Sequence, residues 1–218
     1  MKTSTKWTIG SLIAVALLIA AVAIYAVVKP TAQPEASGGN GASSTVADNS
    51  HRLTEPENST VTLVEFLDFE CEVCGAVYPV IEQLRAEYGD RVSFVVRYFP
   101  IPSHLNSMNA AVAVEAAAQQ GQFEAMYSRM FETQPEWGEQ QDSKAALFRT
   151  FAEDLGLDMA KYDAAVADPA TQERVASDFD AGRQLGVEGT PTIFVNDKKI
   201  ELRSEADLRN ALEAALAK

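Results

Sequence analysis

The sequence is poor in the residues that build metal sites and disulfide scaffolds. Its 218 residues include two cysteines and two histidines. A structural zinc site takes four Cys or His ligands at characteristic spacings, and a disulfide scaffold needs several cysteine pairs. Neither His51 nor His104 stands at such a spacing from the cysteines. We therefore predict no metal and no organic cofactor, with a zinc site as the weaker alternative.

Positive charge is also scarce. Eighteen Lys and Arg residues face 31 Asp and Glu residues, which gives a net charge of −13. No basic stripe occurs along the chain, and an acidic surface repels the phosphate backbone. The sequence therefore argues against nucleic-acid binding.

One long apolar run is present, and it lies at the N-terminus. Residues 7–28 are uncharged and largely apolar, and Lys2 and Lys6 precede them. As a helix the run would be about 33 Å long, enough to cross a hydrocarbon core of about 30 Å. It exceeds the apolar region of a cleaved signal, and no A-x-A site follows. We predict that residues 1–28 form a cytoplasmic N-terminus and a single-pass transmembrane signal anchor, with a cleaved signal as the alternative.

A polar segment separates this run from the rest of the chain. Residues 29–59 are rich in Pro, Gly, Ala, Ser, Thr and Asn and contain few large apolar groups. We predict a flexible linker with a reach of about 30 Å. Because Lys2 and Lys6 favour the cytoplasmic side, the domain that follows, residues 60–218, is expected on the extracytoplasmic side of the cell membrane.

Both cysteines lie in one motif at the end of an apolar run. Residues 61–69 read as a strand, and a helical pattern begins directly after Cys71-Glu72-Val73-Cys74. Cys71 would then stand at a helix N-terminus, where the helix dipole favours a thiolate. Cys74 would lie one turn on, at a Cα separation of about 5 Å that a disulfide can bridge. The motif predicts a redox-active dithiol, with a static structural disulfide as the alternative.

The remaining pattern predicts an α/β domain with a helical insertion. Residues 91–99 read as a second strand and residues 105–185 as helices. Asp168-Pro169 predicts the cap and first residue of a helix that ends at Gly186. A hairpin built on residues 192–202, with an Asn-Asp turn, and a final helix that opens on the capping-box-like Ser204-Glu-Ala-Asp207 complete the chain. The inserted helices are expected over about 103–168.

Several of these segments resemble the DsbA-like branch of the thioredoxin superfamily. The matching features are Glu65-Phe-Leu-Asp-Phe-Glu-Cys-Glu-Val-Cys74, Pro79 in the motif helix, and Val187-Glu-Gly-Thr-Pro-Thr-Ile-Phe-Val195. Residues 99–109 are similar to the start of the family's inserted helical domain. The resemblance implies a thioredoxin-like α/β fold with an inserted helical domain, here preceded by the N-terminal transmembrane helix.

The resemblance also implies roles for individual residues. Cys71 would be the nucleophile and Cys74 the thiol that resolves the mixed disulfide. Thr190 and Pro191 would form a cis-proline loop that holds the substrate backbone beside the cysteines. Glu65 would be a buried carboxylate with a raised pKa that exchanges a proton with Cys74; an exposed edge-strand position or an ion pair is the alternative.

The implied function is a thiol–disulfide oxidoreductase that introduces disulfides into unfolded exported proteins. It would act as a monomer, and a membrane redox partner of the DsbB or vitamin-K-epoxide-reductase kind would reoxidise it. Two alternatives stay open, a membrane-tethered reductase or isomerase using the same pair and a non-catalytic interaction module.

The residues around the cysteines suggest a moderate oxidant. The family's strongest oxidases carry a histidine where this chain has Val73. Glu70 and Glu72 add negative charge on either side of Cys71. We expect both features to destabilise the Cys71 thiolate and to make the protein a milder oxidant.

Overall fold

The computed structural model describes residues 44–218. The elements in chain order are β1 (His51–Thr54), β2 (Val61–Leu67), α1 (Glu72–Tyr88), β3 (Val92–Tyr98), α2 (Ser107–Ala118), α3 (Phe123–Trp137), α4 (Ala145–Asp154), α5 (Met159–Ala167), α6 (Pro169–Gln184), β4 (Thr192–Val195), β5 (Lys198–Lys199) and α7 (Glu205–Leu216). The predicted signal anchor and the first part of the predicted linker lie outside the described residues. Within residues 44–218, no helix is both long and apolar enough to cross a membrane.

The five strands form one mixed sheet in the order β1-β3-β2-β4-β5. The central pair, β2 and β3, is parallel, and α1 makes the crossover between them. Strand β4 pairs antiparallel with β2 and returns through a tight turn into β5. Asn196 and Asp197 form that turn with positive φ angles of 46° and 63°, which these residue types tolerate.

Helices cover both faces of the sheet. Along β2, Leu63, Glu65 and Leu67 point to the face that packs against α1 and the inserted helices, because alternate residues of a strand share a face. Val64 and Phe66 point to the opposite face, towards Phe179 of α6. The burial of both faces explains why β2 reads as a continuous apolar run.

The predicted helical insertion is present. Helices α2 to α5 lie between β3 and α6, so their span from Ser107 to Ala167 agrees with the expected 103–168. Helix α6 starts at the predicted cap, where the Asp168 carboxylate accepts a hydrogen bond from the backbone N–H of Ala170. It ends before Gly186, whose φ of 78° suits glycine.

The predicted boundary between linker and domain is wrong. Residues 44–59 belong to the folded domain, because β1 extends the sheet by pairing antiparallel with β3. Thr54 Oγ1 donates to the Val92 carbonyl at 2.8 Å, and the His51 ring bonds Glu115 of the insertion at 2.7 Å. Such a short polar strand gains its stability from distant partners, so composition alone does not reveal it.

Candidate active site

The two cysteines lie where the central strand β2 meets helix α1. A four-residue turn follows β2, closed by the Cys71 N–H donating to the Asp68 carbonyl at 3.2 Å. Cys71 is the N-cap of α1, and Cys74 lies in its first turn. Both thiols are free; Cys71 is 7% exposed and Cys74 is fully buried. One thiol can therefore meet another molecule while its neighbour cannot.

The environment of Cys71 favours its thiolate. A hydrogen bond from the Cys74 thiol makes the largest contribution, and the Thr190 side chain and the backbone N–H groups of Val73 and Cys74 add to it. Partial burial opposes these donors, and the net effect lowers the pKa of Cys71 to about 6. At neutral pH Cys71 is therefore mostly ionised, as a nucleophile and a leaving group should be.

The environment of Cys74 has the opposite effect. Burial is the main reason why the pKa of Cys74 is raised well above its ordinary value, and the nearby Cys71 and Glu65 raise it further. Cys74 therefore keeps its proton at neutral pH. The pair consists of one thiolate and one thiol, and the thiol stabilises the thiolate.

Glu65 is buried beside this pair. It is 3% exposed and lies in the middle of β2, between β3 and β4, so it occupies neither an edge strand nor a solvent-facing position. Burial raises the pKa of Glu65 to about 8, with smaller contributions from the charges of Glu82 and Cys71. As the resemblance implied, Glu65 is a buried acid with a raised pKa, close enough to Cys74 to affect its ionisation.

The Thr190–Pro191 loop completes the site from a distant part of the chain. The peptide bond between these residues is cis, as the resemblance implied. Because β4 pairs with β2, the loop before β4 reaches the end of β2 that carries the cysteines. The Cys71 Sγ lies 3.5 Å from the Thr190 carbonyl oxygen, to which the thiol form donates. The buried Thr190 hydroxyl has no other hydrogen-bond partner within residues 44–218, and the Thr190 side chain is one of the groups that lower the pKa of Cys71.

Glu70 and Glu72 are placed differently beside Cys71. Glu70 is 2% exposed, and its carboxylate accepts a hydrogen bond from the Asn106 N–H at 2.5 Å. Glu72 is exposed at the start of α1. Neither is among the main contributions to the pKa of Cys71, which is lowered by the hydrogen-bond donors around its sulfur. The expected destabilisation of the thiolate by the two flanking charges is therefore outweighed by these donors.

Asp68 and His104 take a larger part in the site than the sequence indicated. The buried Asp68 carboxylate accepts hydrogen bonds from the Glu70 N–H at 2.9 Å, the Ile101 N–H at 3.1 Å and the His104 ring at 2.7 Å. Burial opposes a charge on His104, but the hydrogen bond and charge of Asp68 outweigh it, so the pKa of His104 is raised. The sequence signal was weak, an acid at a strand end and a histidine in a proline-rich loop.

Gln134 of α3 is a further residue that sequence reasoning missed. Its side-chain amide donates to the Phe69 carbonyl at 2.7 Å and to the Cys71 carbonyl at 2.9 Å. It is only 7% exposed, which is unusual for glutamine. A glutamine in an apolar helix carries no signal of a partner more than 60 residues away.

No group of three His, Cys, Asp or Glu side chains that could hold a metal ion occurs in residues 44–218.

Comparison with solved structures finds the same fold in a thioredoxin-like oxidoreductase and in other proteins. A thioredoxin-like oxidoreductase from Silicibacter pomeroyi shares 26% identity, with coverage of 83% of this chain and 99% of that chain and a TM-score of 0.68. BdbD from Bacillus subtilis shares 24% identity, 76% and 92% coverage and a TM-score of 0.66. The alpha-DsbA1 of Wolbachia pipientis shares 18% identity, 79% and 92% coverage and a TM-score of 0.68.

Curated relatives match at higher identity but are much longer. A protein named Na(+)/H(+) antiporter NhaA 3 from Salinispora tropica is 36% identical over 145 residues, 66% of this chain and 21% of that protein. Na(+)/H(+) antiporter NhaA from Herminiimonas arsenicoxydans is 37% identical over 158 residues, 71% of this chain and 23% of that protein. The chain thus spans about a fifth of the length of these relatives.

A family model described as thioredoxin matches residues 52–214, which include the strand β2, both cysteines, the helical insertion and the cis-proline loop. The match covers well over half of the sequence, and the chain belongs to this thioredoxin family.

Proposed function

We propose that this protein is an extracytoplasmic thiol–disulfide oxidoreductase that introduces disulfides into unfolded exported proteins through Cys71 and Cys74. Residues 1–28 would anchor it in the cell membrane. The observation that carries the proposal is the unequal pair of thiols, an ionised Cys71 that is 7% exposed and a protonated, fully buried Cys74, beside the cis-proline loop. This arrangement suits thiol–disulfide exchange. Neither a static disulfide nor a non-catalytic interaction module requires two thiols with such different pKa values.

The first step starts from the oxidised protein, with a Cys71–Cys74 disulfide. A substrate thiolate attacks the Cys71 sulfur and forms a mixed disulfide, while the bond to Cys74 breaks and Cys74 leaves with the electron pair. The departing Cys74 needs a proton because its buried thiolate is unfavourable. Glu65 holds a proton at neutral pH and lies close enough to supply it.

The second step releases the product. A second substrate thiolate attacks the substrate sulfur of the mixed disulfide, and Cys71 leaves as a thiolate. The low pKa of Cys71 makes it a good leaving group at this point. The substrate has lost two electrons and two protons in all; the pair is left as a Cys71 thiolate and a Cys74 thiol, and Glu65 regains its proton from solvent. A membrane oxidant of the DsbB or vitamin-K-epoxide-reductase kind would then accept the electrons.

The pKa of Cys71 supports the expectation of a mild oxidant. A stabilised thiolate favours the reduced dithiol and makes the disulfide oxidising. The pKa of Cys71, about 6, lies above the value of about 3.5 for DsbA and below the value of about 7 for thioredoxin. The same comparison favours a reductase or isomerase as the second candidate, since the value lies nearer to that of thioredoxin.

The antiporter names are not transferred to this chain. About four fifths of each antiporter-named relative lies outside the matched segment, so cation transport need not involve the part that resembles this chain.

The reduction potential of the Cys71–Cys74 pair tests the direction of electron flow. Equilibration in glutathione buffers should give a value of about −120 to −180 mV for a disulfide donor. A value of about −270 mV, like that of thioredoxin, would establish a reductase and contradict the proposal. Oxidation of a reduced, unfolded substrate should fail with Cys71→Ser, whereas an interaction module would lose nothing. In intact cells, labelling of Cys71 by a membrane-impermeant maleimide tests its extracytoplasmic placement.

A further inference from the structure

The backbone around Cys71 is held by a residue of the inserted helices. Gln134 donates one N–H to the Phe69 carbonyl at 2.7 Å and the other to the Cys71 carbonyl at 2.9 Å. A carbonyl oxygen only accepts, so the orientation of the amide is fixed by its two partners. Both donors of one amide group therefore converge on the two carbonyls that flank Glu70.

We propose that Gln134 is a positioning residue for the nucleophile, through which the helical insertion sets the reactivity of Cys71. The inference rests on the proposed function in that Cys71 is taken as the attacking and leaving sulfur. Gln134 makes no hydrogen bond to the sulfur in the described structure; it acts through the two carbonyls.

The Gln134 side chain packs so closely against Gly75 that there is no room for a side chain at that position. A Cβ atom on Gly75 would lie 2.8 Å from Gln134 Cδ and closer still to Oε1. The absence of a side chain at Gly75 is therefore what lets the insertion approach the first turn of α1. The Gly75 N–H and Gln134 share the Cys71 carbonyl as acceptor.

The two hydrogen bonds have an electrostatic consequence for the thiolate. Carbonyl oxygens carry partial negative charge; the Cys71 carbonyl belongs to the same residue as the ionised sulfur, and the Phe69 carbonyl lies two residues before it in the chain. The amide hydrogens of Gln134 offset that charge in a buried setting, where dipoles are weakly screened. Removal of the donors should therefore destabilise the thiolate and leave two buried carbonyls with fewer partners.

Gln134→Met is the sharpest test, because methionine has a similar shape and no donor. Exposed Gln141, which makes no side-chain hydrogen bond in the described structure, provides the matched control Gln141→Met. For Gln134→Met, but not for the control, we expect the pKa of Cys71 to rise by about one, measured by thiolate absorbance. At pH 7, a rise of the Cys71 pKa from about 6 by one lowers the factor by which thiolate formation favours the reduced pair about fivefold. The reduction potential should therefore become more reducing by about 20 mV.

A pair of variants separates packing from donation. Gly75→Ala should lower the melting temperature in the wild-type background, and Gln134→Ala should relieve that loss by removing the blocking side chain. The double variant should nevertheless keep the altered Cys71 titration of Gln134→Ala, because it also lacks the donor.

An unchanged Cys71 titration and glutathione equilibrium in folded Gln134→Met, with only a lower melting temperature, would reduce Gln134 to a packing residue and overturn the proposal. These readouts come from the cysteine pair itself. They remain informative even if the wild-type protein fails to oxidise any substrate, an outcome that would count against the proposed function alone.

Discussion

At the scale of single residues, the chemistry of this protein rests on a contrast between two thiols of one helical turn. Cys71 keeps a small exposed fraction and has gained hydrogen-bond donors that outweigh its burial, whereas Cys74 is fully buried beside an acid. The two shifts are linked, because the hydrogen that Cys74 keeps is the one that it donates to Cys71. Each cysteine therefore shifts the pKa of the other, in opposite directions.

Replacement of Cys74 should make that link visible. In Cys74→Ala the largest contribution that lowers the pKa of Cys71 is lost. We expect the midpoint of Cys71 alkylation by iodoacetamide to move upwards from about pH 6 by about one pH unit. Cys74→Ser keeps a donor and should stay closer to the wild-type midpoint. Equal midpoints for the two variants would contradict the role of this hydrogen bond.

Glu65 predicts a distinct dependence of stability on pH. The unfolded chain releases the Glu65 proton near the ordinary pKa of 4.5, whereas the folded protein releases it at about 8. The folded state therefore binds more protons between these values, and stability falls as pH rises from 4.5 to 8. Glu65→Gln cannot titrate and so lacks this fall. Between pH 4 and pH 8.5, the difference in free energy of unfolding between the variant and wild type should therefore shift by about 2–4 kcal/mol in favour of the variant.

The measurement is urea unfolding of both proteins in the disulfide form, in which the two thiols do not titrate. A pH-independent difference between wild type and Glu65→Gln would show that Glu65 ionises normally in the folded state. The same variant should slow substrate oxidation by about tenfold or more if Glu65 supplies the proton to Cys74.

The residues found from the sequence are those with a local or a familiar signal. Cys71 and Cys74 stand three residues apart, and Glu65 interrupts an apolar strand. Pro191 follows a Gly-Thr pair before a strand. His104 and Gln134 gave no such signal, because their partners lie 36 and more than 60 residues away. Only the fold brings them to the turn.

At the scale of secondary-structure elements, a buried charged cluster ties the sheet to α6. The Asp178 side chain is fully buried; it lies 2.7 Å from Arg97 of β3 and 2.8 Å from Arg174 of its own helix, and it accepts the Tyr98 N–H at 3.2 Å. Arg97 also donates to the backbone carbonyls of Ser44 and Thr45, at 3.2 Å each. The cluster therefore joins a strand, a helix and the first described residues.

Asp178→Asn should be strongly destabilising. It leaves two buried guanidinium groups without their counter-charge, for which we expect a loss of about 3 kcal/mol in the free energy of unfolding. Asp163→Asn is the matched control, because Asp163 pairs with Arg149 at 2.8 Å where both side chains are nearly half exposed. The control should cost less than about 1 kcal/mol in chemical denaturation. Equal losses would contradict the importance of burial.

The elements also show where sequence patterns fail. The cap of α6, the Asn-Asp turn and the capping box of α7 depend on neighbouring residues and were predicted. Strand β1 has four residues, of which only Leu53 is buried, and it follows a polar segment. Its pairing with β3 is a non-local interaction that composition does not reveal, so the sequence predicts a linker that extends too far, to residue 59.

At the scale of the whole molecule, the corrected boundary has a direct test. A fragment of residues 44–218 contains every contact of the core and the site described above. A fragment of residues 60–218 lacks β1, and with it the cover of the β3 edge and the bond between His51 and Glu115. We expect its melting temperature, followed by circular dichroism, to be lower by about 10 °C. Equal melting temperatures would restore the boundary at residue 59.

The slight exposure of Cys71 has a consequence for what the protein can act on. The sulfur that must meet another sulfur is 7% exposed, while Val73, two residues on, is 50% exposed. Exchange depends on access to the attacked sulfur, so a partner has to bring its own sulfur up to one that the protein almost covers, beside the Thr190 carbonyl. A cysteine on a pliable chain can make that approach, whereas one set in a rigid, closely packed surface is held back by its neighbours. Whichever way the electrons flow, we therefore expect exchange to be faster with cysteines in flexible segments than with cysteines in rigid ones.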